Sequence, residues 1–316
     1  MGGNVGQGII RNLRAIDPGL RVIGTNTEFF SAGNHLCDEF YQVPYAVAEN
    51  YIEVINEIIA TEKVVLILPA TDYEVYHLSA NRARLSAQVV CSDSEASSIY
   101  LDKYSSYLHH KAHGIPFAES VLPSAYDGKF RECIAKPREG RGSRGLHFNP
   151  AEPHTFSDDE YVIQELHRGI EVTTAFYVTQ SGKLHGLITL ERELDNGATT
   201  RCRVNPDYDE AIRGILEKII AVTPIRGSIN LQSIITPAGE IQPFEVNCRI
   251  SGTNSIRSQF GFEDVRYALQ EYLYREPLSE PVVKAGSAVR ILMDVIYPAE
   301  TVTDNLRNNQ AEHYIF

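Results

Sequence analysis

Two hydrophobic periods alternate along residues 1–92. Residues 9–15 place apolar side chains at helical spacing and stop at Asp17-Pro18-Gly19. Residues 20–24 read as a strand. Over 51–60, Ile52, Ile55, Ile58 and Ile59 mark one face of a helix. Residues 64–68 form an unbroken apolar run, the pattern of a strand covered on both faces of a parallel sheet. Residues 78–85 read as helix and 89–90 as a short strand. Strand–helix alternation at this pitch predicts a doubly wound α/β sheet.

Beyond residue 93 the pattern changes. Residues 94–113 read as one helix, closed by Gly114 and Pro116. Two short strands, 132–137 and 146–148, then enclose a loop rich in glycine and arginine. Strand patterns follow at 161–164, 171–178 and 183–190. Asn205-Pro206 opens a helix reaching about residue 222, with proline at a position that tolerates it. Strands at 227–236 and 241–250 come last, joined by Pro237-Ala238-Gly239-Glu240.

The second of these strands carries chemistry. Glu245, Asn247 and Arg249 alternate with Phe244, Val246, Cys248 and Ile250, so period two sends three polar groups to one face and four apolar ones to the other. A turn pairing Thr236 with Ile241 sets Gln232 opposite Glu245 and Asn230 opposite Asn247. One hairpin face then offers a carboxylate and carboxamide oxygens beside an arginine. Oxygen ligation suits Mg²⁺ or Mn²⁺ rather than zinc. The bland alternative is an ordinary solvated strand face.

The loop Lys136-Pro137-Arg138-Glu139-Gly140-Arg141-Gly142-Ser143-Arg144-Gly145 contains G-x-G-x-x-G. In a dinucleotide fold that pattern must open a helix. Here a strand precedes it and a strand follows it, which makes it a flap over phosphates, or else a flexible surface loop. It lacks the Gly-Lys-Ser/Thr ending of a P-loop. Lys136 ends the incoming strand within reach of an α- or β-phosphate.

Composition narrows the setting. The chain has 316 residues, 41 acidic against 29 basic, and a formal net charge of −12. This acidity argues against a nucleic-acid or anionic-membrane partner. No apolar run approaches the ~20 residues that span a bilayer, and no secretory signal pattern opens the chain. The five cysteines form no CxxC pair and read as reduced thiols of a cytoplasmic protein.

Taken in order and spacing, Lys103 in Leu-Asp-Lys-Tyr, Lys136 with its glycine loop, Val162-Ile163-Gln164-Glu165-Leu166, Gly169-Ile170-Glu171 and Glu245-Val246-Asn247-Cys248-Arg249 resemble the ATP-grasp enzymes. The stretch from Ser228 to Arg249 looks most like the large subunit of carbamoyl-phosphate synthase, in one ATP-binding half. The resemblance implies an N-terminal Rossmann-like domain at 1–92 and an ATP-grasp domain at 93–316. Within the latter it implies a small flap lobe at about 117–160 and a large metal-binding lobe at about 161–316.

By the same resemblance, Lys103 and Lys136 contact ATP phosphates beneath a flap formed by Gly140, Gly142, Ser143 and Gly145. Gln164, Glu165 and Leu166 belong to the nucleotide site, Glu165 and Leu166 offering backbone groups to adenine, and Glu171 accepts the ribose hydroxyls. Gln232, Glu245 and Asn247 hold Mg²⁺ or Mn²⁺, and Arg249 stabilises the transferring phosphoryl group. The implied reaction joins a small carboxylate to an amine or thiol through an acylphosphate, in a homodimer or with a partner subunit. The rival is a nucleotide-binding module or sensor without turnover; a third reading, an NAD-dependent oxidoreductase, rests on Gly3 to Gly8 alone.

Three departures from the family stand out. Cys248 replaces a proline and is expected in the core. The segment from Phe148 to Tyr161 is too short for the flap lobe's usual long helix. The family's first strand, before Gly2-Gly3-Asn4-Val5-Gly6, is missing, so either the chain is counted from too late or its N-terminal sheet lacks a central strand.

Weaker candidates remain. Arg192, Arg201 and Arg203 face either phosphate and acyl substrate or plain solvent. His109, His110 and His113 read as a solvated helix face rather than a zinc site. Asp72 and Glu74 either line the acyl cleft or belong to a helix cap formed by Thr71 or Asp72.

Overall fold

The computed structural model describes residues 1–140, 142, 144–195, 197–298 and 312–316. Its N-terminal part alternates helices and strands: α1 (Asn4–Ile16), β1 (Ile23–Asn26), β2 (Glu39–Gln42), α2 (Tyr51–Glu62), β3 (Leu66–Ile67), α3 (Asp72–Ala80) and β4 (Gln88–Val89). Helix α1 begins at Asn4, ahead of the apolar periodicity, because the glycine turn itself is wound into its first turn. The strands pair in parallel, as expected, but in two separate pairs, β1–β2 and β3–β4. No described strand lies between β1 and β3. An apolar cavity of about 410 Å³ occupies that position, lined by Ile9, Leu13, Ile23, Ile58, Leu66 and Leu78 among others. The Met1 ammonium sits at its edge, donating to the Thr25 carbonyl at 2.8 Å, and burial lowers its pKa.

Helix α2 buries Ile52, Ile55, Ile58 and Ile59 against the main core, at about 1.5–3 kcal/mol for each side chain. Helix α3 starts earlier than its apolar pattern because Thr71 and Glu74 form a reciprocal capping box. The helix expected over 94–113 is broken in two, α4 (Ser94–Leu101) and α5 (Lys103–Ala112). Asp102 breaks it: its backbone is extended and its carboxylate caps α5 by accepting from Tyr104 and Ser105. The same carboxylate accepts from Arg138 Nε at 3.0 Å. One acidic residue thus ends one helix, starts the next and ties it to the glycine loop.

A four-stranded antiparallel sheet follows, in the order β5 (Ser120–Val121), β8 (Tyr161–Glu165), β6 (Cys133–Pro137), β7 (His147–Phe148). Between Phe148 and Tyr161 only a 3₁₀ turn, Pro153–Thr155, is formed. The second, six-stranded sheet is also antiparallel. It comprises β9 (Ile170–Val178), β10 (Leu184–Asp195), β11 (Ala198–Val204), β12 (Gly227–Ile235), β13 (Ile241–Asn247) and β14 (Ser287–Val289), in the order β13-β12-β9-β10-β11-β14. Helix α6 (Asp209–Val222) buries Ile212, Ile215, Leu216 and Ile219 in the core that Phe176, Ile229 and Leu231 enter from this sheet. Helices α7 (Asn254–Arg257) and α8 (Asp264–Ala268) cross behind it, pinned by a fully buried Arg257–Asp264 ion pair that also takes the Ser228 hydroxyl. No described helix is long and apolar enough to cross a membrane.

Hairpin β12–β13 departs from its expected register at one point. Asn230 pairs with Asn247 and Gln232 with Glu245, as counted, but nearer the turn Ser233 pairs with Pro243 and Ile235, not Thr236, with Ile241. Phe244 is the extra residue of a β-bulge. Pro243, without an N–H, cannot complete the ladder there, and β13 is an edge strand where such irregularity is tolerated. Phe244 therefore leaves the apolar face assigned to it by alternation. Val246, Cys248 and Ile250 remain buried.

Candidate active site

Two cavities meet along the β12–β13 hairpin. The smaller, of about 470 Å³, lies between the two antiparallel sheets. Its polar end holds Lys103, Lys136 and Glu245; its apolar walls include Ile134, Leu166, Ile234 and Phe244. The larger, of about 930 Å³, lies between the large sheet and the N-terminal part, bounded by Asn4, Tyr45, Asp72, Arg192, Asn230 and Arg249 among others. Gln232 and Glu245 line both.

Lys136 is brought in by β6. Its Nζ donates to Gln164 Oε1 at 2.6 Å and lies 4.6 Å from the centre of the Phe244 ring. The bulge is what supplies that ring. Gln164 is itself held by the Ser120 hydroxyl, at 3.1 Å from Nε2. Burial lowers the Lys136 ammonium to about 8, a shift that Glu245 partly offsets and Lys103 reinforces. Lys103, the first residue of α5, stands 4.0 Å from Glu245 Oε1 and 3.5 Å from the Gly140 carbonyl. Its place follows from the Asp102 break, since Lys103 N–H also donates to Arg138 O at 2.9 Å.

Burial opposes the charge on Glu245. Lys103 and Lys136 outweigh it, together with an Asn247 hydrogen bond and Arg249, and hold the carboxyl below its ordinary value. Asn247 Nδ2 donates to Glu245 Oε1 at 3.0 Å, and Gln232 Nε2 to Asn247 Oδ1 at 3.0 Å. The expected metal trio is thus one connected patch. Among the described residues no three His, Cys, Asp or Glu side chains cluster, so no soft or carboxylate-rich metal site exists there. A single carboxylate with two amide oxygens fits Mg²⁺, which keeps waters and completes its shell with phosphate oxygens.

The glycine loop reaches over this patch. Gly140 and Gly142 line the smaller cavity, whereas Gly145 lies outside its lining, its φ of +67° turning the chain back beside Pro137. Ser143 falls outside the described residues. The Gly142 backbone lies so close to Gly197 that a β-carbon there would overlap it, which rests the flap on the β10–β11 turn. Glu165 and Leu166 line the cavity, but their N–H groups are already donated to Glu119 O at 2.8 Å and Glu132 O at 3.0 Å. Neither N–H is therefore available to adenine. His167, one residue on, also lines the cavity, and its backbone N–H donates to no described residue. Sequence reading passed over it, although the strand's end at Glu165 frees the next residues from the ladder.

On the larger cavity's side, Arg249 is gripped by Asp72 Oδ2, at 2.9 Å from Nε and 2.8 Å from Nη2. The α3 capping box leaves Asp72 free for this, since Thr71 and Glu74 do the capping. Arg192, on β10, is only 11% exposed and donates to Glu171 Oε1 at 3.0 and 2.7 Å and also to Gln232 Oε1. It is no surface residue. Arg201 and Arg203 are, paired in solvent with Glu193 and Glu191. The histidines of α5 do not form a solvated face: His110 is fully buried against Tyr100 at 3.1 Å, His109 meets Thr223 at 2.7 Å, and only His113 is exposed. All five cysteines are free and buried.

Residues 100–253 match the family model described as ATP-grasp domain, and residues 8–91 that described as PylC-like, N-terminal domain. No curated protein matches the chain in sequence. Among solved structures, the N5-carboxyaminoimidazole synthetase of Staphylococcus aureus complexed with ADP is similar at 13% identity. Its TM-score is 0.73, over 92% of this chain and 81% of that one. The corresponding synthetase of Thermotoga maritima is 15% identical, TM-score 0.68, over 94% and 82%. The biotin carboxylase domain of Hydrogenobacter thermophilus 2-oxoglutarate carboxylase, a dimer holding MgADP and bicarbonate, is 12% identical, TM-score 0.70, over 89% and 70%. These matches bear out the ATP-grasp likeness read from the sequence and do not single out carbamoyl-phosphate synthase. Residues 100–253 thus carry an ATP-grasp domain, and the chain has the fold of ATP-grasp enzymes.

Proposed function

We propose that this protein uses ATP and Mg²⁺ to activate a small oxyacid as its acylphosphate, then passes the acyl group to an amine or thiol. The observation that carries the reading is the shared wall. Gln232 and Glu245 line both cavities, so the phosphate end of a nucleotide in one would meet an acid held in the other. The ADP, MgADP and bicarbonate bound by the similar structures support a nucleotide and a small oxyacid as the ligands.

In this reading the acid's oxygen attacks the γ-phosphorus in line, the bond to the β–γ bridging oxygen breaks, and ADP leaves. The amine or thiol then adds to the acyl carbon, loses its proton and expels phosphate. Lys103 and Lys136 hold the phosphate oxygens, His167 N–H and the apolar walls receive the adenine, and Glu171 takes the ribose. Gln232, Glu245 and Asn247 would hold Mg²⁺, which would supply charge neutralisation at the phosphates. Arg249, fixed by Asp72, faces the oxygens that gain charge in the transition state. The chemistry asks for positioning and electrostatics rather than a protein base. The likeness to carbamoyl-phosphate synthase is, on this account, one of the activation step.

The test is phosphate release from ATP and Mg²⁺ across a panel of bicarbonate, amino acids and organic acids, with and without an amine. Acid-dependent release that disappears in Glu245→Ala is expected. Tight nucleotide binding with no release for any acid would replace the ligase by a nucleotide-binding module.

A further inference from the structure

Arg192 stands between the two cavities in an arrangement that the ligase reading does not use. Its own side chain borders the larger cavity, while both residues it grips, Glu171 and Gln232, border the smaller. Its Nε and Nη2 share Glu171 Oε1, and Nη2 also reaches Gln232 Oε1. Those oxygens are the ones assigned to ribose and to Mg²⁺. A guanidinium and a dication cannot occupy one amide oxygen together, because two cations at hydrogen-bond separation in a half-buried site repel strongly. Ribose hydroxyls compete for the Glu171 carboxylate in the same way. The side chain therefore has two settings, and the open volume beside it is the larger cavity.

We propose that Arg192 couples the two cavities: nucleotide and Mg²⁺ displace it from Glu171 and Gln232, and the released guanidinium anchors the oxyanion of the acid substrate. This rests on the ligase reading of the same site. It adds an order, nucleotide before acid, and a named anchor. A planar fork with five donors suits a carboxylate or bicarbonate better than a lysine would. Arg249 is not the equivalent group, since Asp72, outside the nucleotide cavity, keeps hold of it.

The sign of the test is unusual for an arginine near a polyphosphate. Replacing Arg192 by Met keeps most of the side chain's bulk and removes the competitor for Glu171 and Gln232. ADP with Mg²⁺ should then bind about threefold to tenfold more tightly than in the parent protein, because the occupied state no longer subtracts from the competent one. With ADP and EDTA the gain should shrink, since the Gln232 contact matters only to the metal; a purely structural arginine would show no such metal dependence. Arg192→Lys, which keeps the charge but cannot bridge both oxygens, should bind ADP and Mg²⁺ at an intermediate level, and serves if the Met variant does not fold.

Unchanged or weaker ADP binding in a folded variant overturns the proposal. The binding arm needs no acid, so it stands even if the acid panel gives no phosphate release and the ligase reading fails. Where the panel yields an acid, its KM should rise in Arg192→Met while the KM for ATP falls. A rise in both would make Arg192 an ordinary phosphate contact.

Discussion

The two cavities handle their cations in opposite ways. In the smaller cavity Lys136 makes its hydrogen bond to a neutral amide, Gln164, and shares the nearby carboxylate of Glu245 with Lys103, and burial pulls its ammonium down to about 8. On the larger cavity's side Arg192 and Arg249 each have a carboxylate to themselves, Glu171, which borders the smaller cavity, and Asp72. Lys136 has no carboxylate hydrogen-bonded to it until a polyphosphate arrives; Arg192 and Arg249 hold theirs until something displaces them. A site that must admit nucleotide first would be built this way, with the attraction exposed on the side that fills first.

Removing the shared wall should have the largest effect. Glu245→Ala deletes the one carboxylate common to both cavities, and acid-dependent phosphate release should fall by about 10³-fold. If the two cavities worked independently, nucleotide binding would fall without that loss of turnover. Arg249→Ala should lower kcat by about 10²-fold with little change in the KM for ATP. Asp72→Asn keeps the shape of the clamp but not its charge, and should cost about tenfold in kcat, as outlying partners of site residues commonly do. Equal losses in the two variants would mean that Asp72 itself touches substrate.

The charge imbalance predicts a pH effect with a definite sign. Lys136 of the ligand-free protein loses its proton as pH rises through about 8, and the polyphosphate prefers the ammonium. Affinity for ADP should then fall with pH above that point, by at most about tenfold per unit. The dependence should vanish in Lys136→Met. For folding, the native pKa lies below the ordinary lysine value, so the unfolded chain binds the extra proton between the two. Stability of the ligand-free protein therefore rises with pH between about 8 and 10.5. Lys136→Met should be the more stable protein below pH 8, by about 2–3 kcal/mol, in denaturant titrations.

The hairpin was legible because alternation and a short turn fix which residues share a face, and Gln232, Glu245 and Asn247 do meet. Phe244 was not, since the bulge that moves it depends on Pro243 and on the neighbouring strand. The break at Asp102 carried a local signal, a capping residue between two helical runs, but its force comes from Arg138, distant in sequence. For Arg192 the sequence leaves a substrate-facing and a solvent-facing reading open, because nothing near it in sequence reveals Glu171 and Gln232, on the next two strands of the sheet. The doubly wound pattern at the N-terminus was visible in its helices. That its strands form two pairs around a cavity is a matter of pairing, on which periodicity is silent.

In the proposed reaction an oxygen of the acid attacks the γ-phosphate across the wall formed by Gln232 and Glu245. Turnover with an acid labelled with ¹⁸O tests it directly, by mass spectrometry of the released phosphate. One labelled oxygen is expected in each phosphate, transferred when the acylphosphate is opened by the amine or thiol. Phosphate carrying only unlabelled oxygen, with label retained in the acid, would contradict it.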